Sequence, residues 1–494
     1  MIAKSLKLTS LPQDILLLIV HLAGKSDKCA ISRVCKALRD VSRPTRFQKV
    51  QLDSKTAFVK FCDLVRQEEY AHCAGFVRKL TLNYTGTEQP LLEPFPRLFP
   101  NMVDLDVICD GNLGREFLGS LGGLSSLRSL SLDTQARGFD SSEPAEFSDL
   151  KLTSLSVSAL NSDISNVVLF TQNVLRGATQ ESITEFSILH HALSSNPAAV
   201  PEPCDPFPVE ISAFPALKCV YLVGALVSPM SSRLSTLLPA VTTLRCITRR
   251  GSAVHDGTTG SWDHLEKLVV VYSPGKEVDE KILDHAPNLK ELELHELSVR
   301  SLHNILLSII GTGLAALRLT SVSLDMTQPA MGPQFNDVIS KDVFESAVLA
   351  MKNLEHFGLV GYEHMTLLHP IRTPFPWFTS VERLASIFSN LHFLLKFQTN
   401  MPADMLESFP NDPENVLSYV RSKRNEYIRI SGNFVANCTS LQVVIWGFRK
   451  WSGKWLLIPT KKRKNGETSS VSDDIFLSES PLFDETELSS YEIV

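Results

Sequence analysis

Residues 127–132, LRSLSL, show the pattern that decides the fold of this chain: apolar, two residues of any type, apolar, one of any type, apolar. The same pattern occurs at 77–82, 102–107 and 152–157. Alternate side chains of a strand point to the same face, so the two last apolar residues of each copy predict a short half-buried strand. The middle apolar residue recurs with a spacing of 25, at Leu80, Leu105, Leu130 and Leu155.

A second series follows with spacings of 24, 24 and 25, and looser copies fill the intervals. A fixed period in the twenties resembles the leucine-rich repeat, whose units bury their apolar rows by stacking on one another. The resemblance implies an α/β fold, an irregular, horseshoe-like leucine-rich-repeat solenoid over 76–451. An α/β protein that is merely rich in short strands is the alternative. The second series is centred on Leu244, Leu268, Leu292 and Leu317, and the looser copies on Phe186, Val220, Phe357 and Val444.

The repeats are degenerate and interrupted. The family's asparagine, three residues after the last leucine, is replaced by Thr85, Asp110, Gln135 or Leu160. We expect three insertions. Residues 192–215 carry six prolines and predict a surface loop, 325–345 contain two more prolines, and 363–437 lack clear units. The aromatic run 375–378, FPWF, is interpreted as a core or loop anchor, with a partner contact as the alternative.

The first fifty residues predict two short amphipathic helices. Apolar residues at helical spacing form one stripe on the first helix, and a second stripe ends at Pro44, where we expect the second helix to end. Helices this short leave apolar surface that the rest of the chain or a partner must cover. The first stripe is Ile15, Leu18, Ile19 and Leu22, and the second is Val34, Ala37, Leu38 and Val41.

Residues 11–16, LPQDIL, and 34–39, VCKALR, followed by Pro44 and Phe47, resemble the F-box, over about residues 9–50. The family often has a tryptophan where Phe47 stands. The resemblance implies docking on a Skp-type adaptor and, through it, on a cullin. The alternative is a plain helical hairpin packed on the next domain. By resemblance, the adaptor-facing or supporting residues are Leu11, Pro12, Ile15, Leu16, Ile19, Val34 and Cys35.

Two further segments complete the predicted domain organisation. Residues 51–75 are expected to form a helical linker between the F-box-like segment and the repeats. Residues 459–494 begin with a basic run at 461–464 and continue as a serine-rich acidic tail, which predicts disorder. The basic run is either a solvated charge cluster or a nuclear localisation signal.

Composition narrows the class of protein. The chain has 494 residues, a formal net charge of −6, 44% hydrophobic and 21% charged residues, which is typical of a globular protein. No apolar run reaches the roughly 18 residues of a membrane helix, and the slight acidity argues against a dedicated nucleic-acid binder. Nine scattered cysteines without a Cys-x-x-Cys pair favour a reducing compartment, either cytoplasmic or nuclear.

No phosphate-binding glycine loop, serine-nucleophile elbow or His-Glu-x-x-His motif occurs, so we expect no enzyme activity, no cofactor and no metal. The two resemblances together imply the substrate-recognition subunit of a Skp–cullin–F-box ubiquitin ligase. The alternatives are a repeat scaffold that recruits no ligase, and an enzyme whose site the sequence hides. Substrate contacts are expected at outward strand positions, one residue after the repeat centres: Tyr221, Arg245, Val269, Glu293 and Arg318.

Overall fold

The computed structural model describes most of the chain, in segments that hold nearly all of the repeat units. It divides into two compact units, Met1–Val227 with Thr236–Ala240 and Ser252–Val254, and the remaining residues from Ser228 onward. The division falls inside α9 (Ser232–Leu237). The described residues are 11–84, 98–110, 113–134, 147–160, 164–191, 205–224, 232–248, 260–271, 282–295, 297–326, 339–361, 381–400, 418, 422, 424–449, 455–462, 468–470, 476–478 and 492–493.

Three helices open the first unit: α1 (Gln13–Leu22), α2 (Lys25–Val34) and α3 (Lys36–Phe47). They share a small core in which four apolar side chains are at most 8% exposed. Its edge is closed by four partly buried residues. The core residues are Leu16, Val20, Leu38 and Val41, and the edge residues are Leu11, Leu17, Ile31 and Cys35.

Two helix predictions at this end were wrong. The stripe that joined Val34 to Leu38 is broken, because the extended backbone of Cys35 (φ −157°, ψ 168°) separates α2 from α3. Val34 therefore ends α2 and is 70% exposed. Pro44 does not end the second helix, which continues to Phe47. A proline inside a helix removes one i→i−4 hydrogen bond, but the rest of the helix can continue past it, as α3 does for three more residues.

The first unit continues as a sheet of parallel strands with helices or turns as return segments, the layering expected of an α/β fold. Residues 51–75, predicted as a helical linker, contain two helices and also the end of a strand that pairs with β2. The elements are β1 (Lys49–Leu52), α4 (Lys55–Arg66), α5 (Ala71–Ala74), β2 (Lys79–Tyr84), β3 (Asp104–Cys109), α6 (Arg115–Leu121), β4 (Ser129–Thr134), β5 (Ser154–Leu160), α7 (Ile164–Leu175), α8 (Thr179–Ser182), β6 (Glu185–His191) and β7 (Cys219–Gly224).

The strand register confirms the predicted period in this unit. Leu80 pairs with Leu105, Leu105 with Leu130, and Leu130 with Leu155, and each of them is at most 1% exposed. The looser copies continue the same row, since Leu155 pairs with Phe186 and Phe186 with Val220. The repeating leucines are therefore the buried core positions of adjacent parallel strands, as in a leucine-rich repeat.

The second unit repeats the design. Strands β8 to β14 are parallel neighbours, and β15 pairs with β14 in the antiparallel direction. The elements are β8 (Thr243–Thr248), β9 (Lys267–Val271), α10 (Ile282–His285), β10 (Glu291–His295), α11 (Val299–Gly311), a 3-10 helix (Ala316–Arg318), β11 (Ser321–Met326), α12 (Lys341–Ala350), β12 (His356–Gly361), α13 (Val381–Phe388), β13 (Lys396–Asn400), α14 (Arg424–Asn437), β14 (Val443–Arg449), β15 (Trp455–Lys462), β16 (Thr468–Ser470), β17 (Phe476–Ser478) and β18 (Glu492–Ile493).

One predicted repeat centre in this unit was wrong. Leu244, Leu268 and Leu292 pair as expected, but Leu292 pairs next with Val322 rather than with Leu317. The long helix α11 lengthens the return segment, so Leu317 falls in the 3-10 helix that precedes β11. Leu314, the first residue of the predicted copy, is 78% exposed.

A ladder of hydrogen bonds at the strand starts connects successive repeats. The carbonyl oxygen of Arg78 accepts from the amides of Val103 (2.7 Å) and Asp104 (2.9 Å) of the next unit. The same double acceptance recurs along both units, as far as Leu395, which accepts from Gln442 and Val443. Because these carbonyls and amides pair with one another, few backbone groups at the starts of the strands lack a hydrogen bond.

Asparagine side chains add rungs to this ladder, at a position that differs from the family's. Asn353 lies one residue before buried Leu354, and its amide donates to the carbonyl of Leu317 at 2.8 Å. Asn101 donates in the same way to Gly75, and Asn288 to Asp263. Each acceptor lies two residues before the buried apolar residue of the preceding repeat, so the three contacts are equivalent.

Phenylalanines fill the core where repeats are longest. Phe207 and Phe214, inside the proline-rich segment predicted as a surface loop, are fully buried and form a row with Phe186. In the second unit, Phe397 packs against Phe388 at 4.7 Å between ring centroids, and also contacts Phe357 and Phe434. Phe397 belongs to β13, a strand within 363–437, where the sequence indicates no unit.

Several sequence predictions lie outside the described residues. The aromatic run 375–378 is among them, as are 192–204, 327–338, 362–380 and most of 401–423. Within 459–494, predicted to be disordered, the end of β15 and the short strands β16, β17 and β18 are described, and for these residues the prediction was wrong. For the rest of the segment the disorder stays a prediction.

Candidate functional site

The first candidate surface lies on the N-terminal helices. Ile15, Leu18 and Leu22, at i, i+3 and i+7 of α1, are 43%, 54% and 76% exposed. Val34 at the end of α2 is also exposed. A short helix with a continuous exposed apolar stripe indicates a protein-binding surface, because isolated exposed leucines are common but aligned ones are not. We call Ile15, Leu18 and Leu22 the α1 stripe.

The structure divides the predicted adaptor-binding residues into two groups. Leu16 is 4% exposed and belongs to the helical core, and Leu11 and Cys35 pack against that core. Leu16 can therefore only support a surface, whereas Leu11 and Cys35 are partly exposed. Ile19 is half-buried, whereas Pro12, Ile15 and Val34 are exposed and available to a partner.

Leu18 and Leu22 were missing from the predicted adaptor set, although they share the stripe with Ile15. Helix α1 is apolar on two sides, since Leu16 and Val20 face the core and the α1 stripe faces outward. An apolar periodicity of this kind locates a helix but does not say which side is buried. Only the packing of α1 on α3 distinguishes the two sides.

The second candidate surface is the outward face of strands β8, β9 and β10. Arg245 pairs with Val269 and Val269 with Glu293, so three of the five predicted substrate residues are neighbours in one row. Arg245 is exposed and Glu293 is half-buried, but Val269 is 3% exposed and offers a partner little surface. The next residue in the row is Ser323 on β11.

The other two predicted substrate residues do not extend this row. Tyr221 lies half-buried on β7 of the first unit. Arg318 was wrongly placed on a strand, because the predicted copy at Leu317 is out of register. Arg318 is the last residue of the 3-10 helix, and its guanidinium donates to the carbonyl of Pro287 at 3.0 Å and to the side chain of Asn288. It occupies the ladder position of Asn353 and connects two repeats.

Charged side chains are paired on the outward face of β9 and β10. Lys267 lies 2.8 Å from Glu291, and Nε2 of His295 lies 2.5 Å from Oε1 of Glu293. Burial acts to raise the pKa of Glu293. The hydrogen bond from His295 and the charges of His295, Arg245 and Lys267 act more strongly, so the pKa of Glu293 is lowered overall. Glu293 is therefore held as a carboxylate in a fixed position beside Arg245.

The described residues contain no group of three or more His, Cys, Asp or Glu side chains that could hold a metal ion.

Burial raises the pKa values of the Cys246 and Cys73 thiols, the latter against the opposing charge of Arg43. A thiol with a raised pKa is a poor nucleophile, because the thiolate is the reactive form. These two cysteines therefore act as buried core residues.

Among the helices that the structure describes, none is long and apolar enough to cross a membrane.

No protein-family model matches the sequence, and no curated protein sequence matches it. Solved structures with a similar fold include the TLR13–ssRNA13 complex, with 14% identity over 74% of this chain and 42% of that one, at a TM-score of 0.31. Another is the plant peptide hormone receptor RGFR1 in complex with RGF2, with 12% identity over 66% of this chain and 48% of that one, at a TM-score of 0.28.

The chain thus spans less than half the length of either of these structures. The period of 24 to 25 residues, the buried leucine rows and the parallel register define the class of the protein: an α/β leucine-rich-repeat fold, a scaffold suited to binding other proteins.

Proposed function

We propose that this chain is the substrate-recognition subunit of a Skp–cullin–F-box ubiquitin ligase, acting in the cytoplasm or nucleus. Helices α1 to α3 dock on a Skp-type adaptor, which links them to a cullin. The outward face of the repeats holds a protein substrate, and other subunits carry out the transfer of ubiquitin. The chain itself contributes binding surfaces and no catalytic group.

The observation that carries the proposal is the exposure of the α1 stripe. A helical hairpin that served only to pack on the repeats would bury its apolar residues against them. Here Ile15, Leu18 and Leu22 remain exposed although α3 packs on α5 and β1. The exposed stripe begins one turn after Leu11-Pro12, the segment that resembles the start of an F-box.

The test is co-expression of the full chain with a Skp-type adaptor, followed by co-purification. We expect the wild type to bind and the Ile15→Ser/Leu18→Ser variant to lose binding by at least about tenfold, because apolar residues at the centre of an interface dominate its affinity. The matched control is Leu307→Ser/Ile310→Ser on α11, where the residues are 45% and 36% exposed. This control should bind like the wild type.

Two results would contradict the proposal. A wild-type chain that does not bind the adaptor would leave a repeat scaffold without ligase recruitment as the function. Equal loss in both double variants would mean that the adaptor interaction is not specific to the α1 stripe.

A further inference from the structure

The N-terminal helices do more than present an adaptor surface. A stack of repeats buries its apolar rows between neighbours, so the first repeat needs a separate element to cover its open side. Strand β1 is the first strand of the sheet and pairs with β2 on one edge. The elements that precede it in the chain are α1, α2 and α3, which contact it through α3.

A single residue connects the last of these helices to the first strand. Phe47 ends α3, Lys49 begins β1, and only Gln48 lies between them. The carbonyl of Gln48 accepts from the amides of Arg78 (3.0 Å) and Lys79 (2.9 Å). This double acceptance is the one that the carbonyl of Arg78 makes with the next repeat. Gln48 is therefore the first rung of the ladder that runs through the repeats.

A row of aromatic rings continues the connection. Phe47 stacks on Phe61 of α4 with ring centroids 6.3 Å apart, and Phe61 stacks on Phe99 at 5.7 Å. Phe99 is fully buried in the turn before β3. The charge of Arg43 in α3 also acts on the buried thiol of Cys73 in α5. The contacts of α3 thus reach α4 and α5, and Phe61 connects them to Phe99 before β3.

The helical core itself is small. Among the described side chains, its buried apolar residues are Leu16, Val20, Leu38 and Val41, and a piece of this size needs support from outside to stay folded. The α1 stripe takes no part in this core, so the residues of the stripe differ from those that hold the three helices together.

We propose that α1 to α3 are the N-terminal cap of the repeat array, and that the folding of these helices and of β1 to β3 is a single cooperative unit. The cap covers the first repeat through Gln48, Phe47 and α3. Damage to the interior of the cap is therefore transmitted to the repeats, although no repeat residue is changed.

Hydrogen–deuterium exchange of the full chain, without any adaptor, tests this inference. The Leu16→Ala/Val20→Ala variant changes only the cap's interior, and Phe47→Ala removes the cap's side of the aromatic contact with Phe61. Both should raise amide exchange in β1, β2 and β3 by at least about tenfold, while β5 and β6 change less, because cooperative units open together. The control Ile15→Ser/Leu18→Ser, on the outer side of the same helix, should leave exchange in β1 to β3 unchanged.

The inference is overturned if β1 to β3 exchange at the wild-type rate in both variants, since the helices would then be an appendage. If Leu16→Ala/Val20→Ala does not give folded protein, Phe47→Ala decides the question alone. Failure of adaptor binding in the co-purification experiment leaves this measurement unaffected, so the cap and the adaptor function are tested separately.

Discussion

At the residue scale, the repeats are fastened by side chains that a leucine pattern does not mark. Asn101, Asn288 and Asn353 donate to the preceding repeat from the position before the buried apolar residue. Arg318 makes the same connection with its longer side chain. The family's asparagine position, after the strand, holds other residues in this chain. The contact before the strand depends on a carbonyl of the preceding repeat, which only the three-dimensional register brings within reach.

Replacement of Asn353 by alanine tests the ladder. The loss of its hydrogen bond to Leu317 should lower the free energy of unfolding by about 0.5–1.5 kcal/mol, the usual net value for one such bond. Chemical denaturation of the full chain measures it. The neighbouring Lys352→Ala is the control and should change stability by less than about 0.5 kcal/mol, because Lys352 is exposed. Equal effects of the two substitutions would refute a role for the rung.

At the element scale, helix α11 explains why the repeat centre predicted at Leu317 was wrong. Its thirteen residues lengthen one repeat, so the apolar pattern at Leu314 and Leu317 falls outside a strand. The three buried residues of α12 nevertheless have counterparts at the same spacing in α11, with Leu302 matching Phe344, Ile305 matching Ala347 and Leu306 matching Val348. Strand positions could be read from the period of the first unit. Return helices of variable length could not, because their length depends on what they pack against.

Two serines, the N-cap of α11 and one within the helix, are expected to respond in opposite ways to replacement by alanine. Ser298 caps the helix by accepting from the amide of Ser301 at 3.0 Å, so Ser298→Ala should destabilise the fold by about 1 kcal/mol. The hydroxyl of Ser308 is buried without a hydrogen-bond partner. Ser308→Ala removes that unsatisfied group and should leave stability unchanged or raise it by up to about 1 kcal/mol. Thermal unfolding of both variants measures the contrast, and a larger loss for Ser308→Ala would contradict it.

At the scale of the whole molecule, the two candidate surfaces belong to different compact units. The α1 stripe lies in the first unit, whereas Arg245 and Glu293 lie in the second. The fold class and the repeat period followed from the leucines alone. The composition of the outward face did not, because Val269 is buried there and Arg318 is absent from it. Neither fact can be read from the alternation of inward and outward positions along the sequence.

Because the two surfaces belong to different units, we expect the two proposed activities to be independent. A photo-reactive residue at Ser323, next to Glu293 in the row, should cross-link the substrate in a complex with adaptor and cullin. Arg245→Ala/Glu293→Ala should lower the cross-linking yield at least about tenfold, since losing about 1.4 kcal/mol of binding has that effect. Adaptor binding should not change. The same photo-reactive group at exposed Lys352 is the control, and an undiminished yield in the double variant would place the substrate elsewhere.

The ladder at the strand starts has a consequence for how this architecture accommodates change. Ser129 and Ser154 begin adjacent strands 25 residues apart, whereas Lys396 and Val443 begin adjacent strands 47 residues apart, yet both pairs are held by the same double acceptance. The alignment is therefore re-established at the beginning of every turn of the chain. Extra residues can be inserted in the return segment of a repeat without displacing the strands that follow. New segments can therefore be added one at a time during evolution.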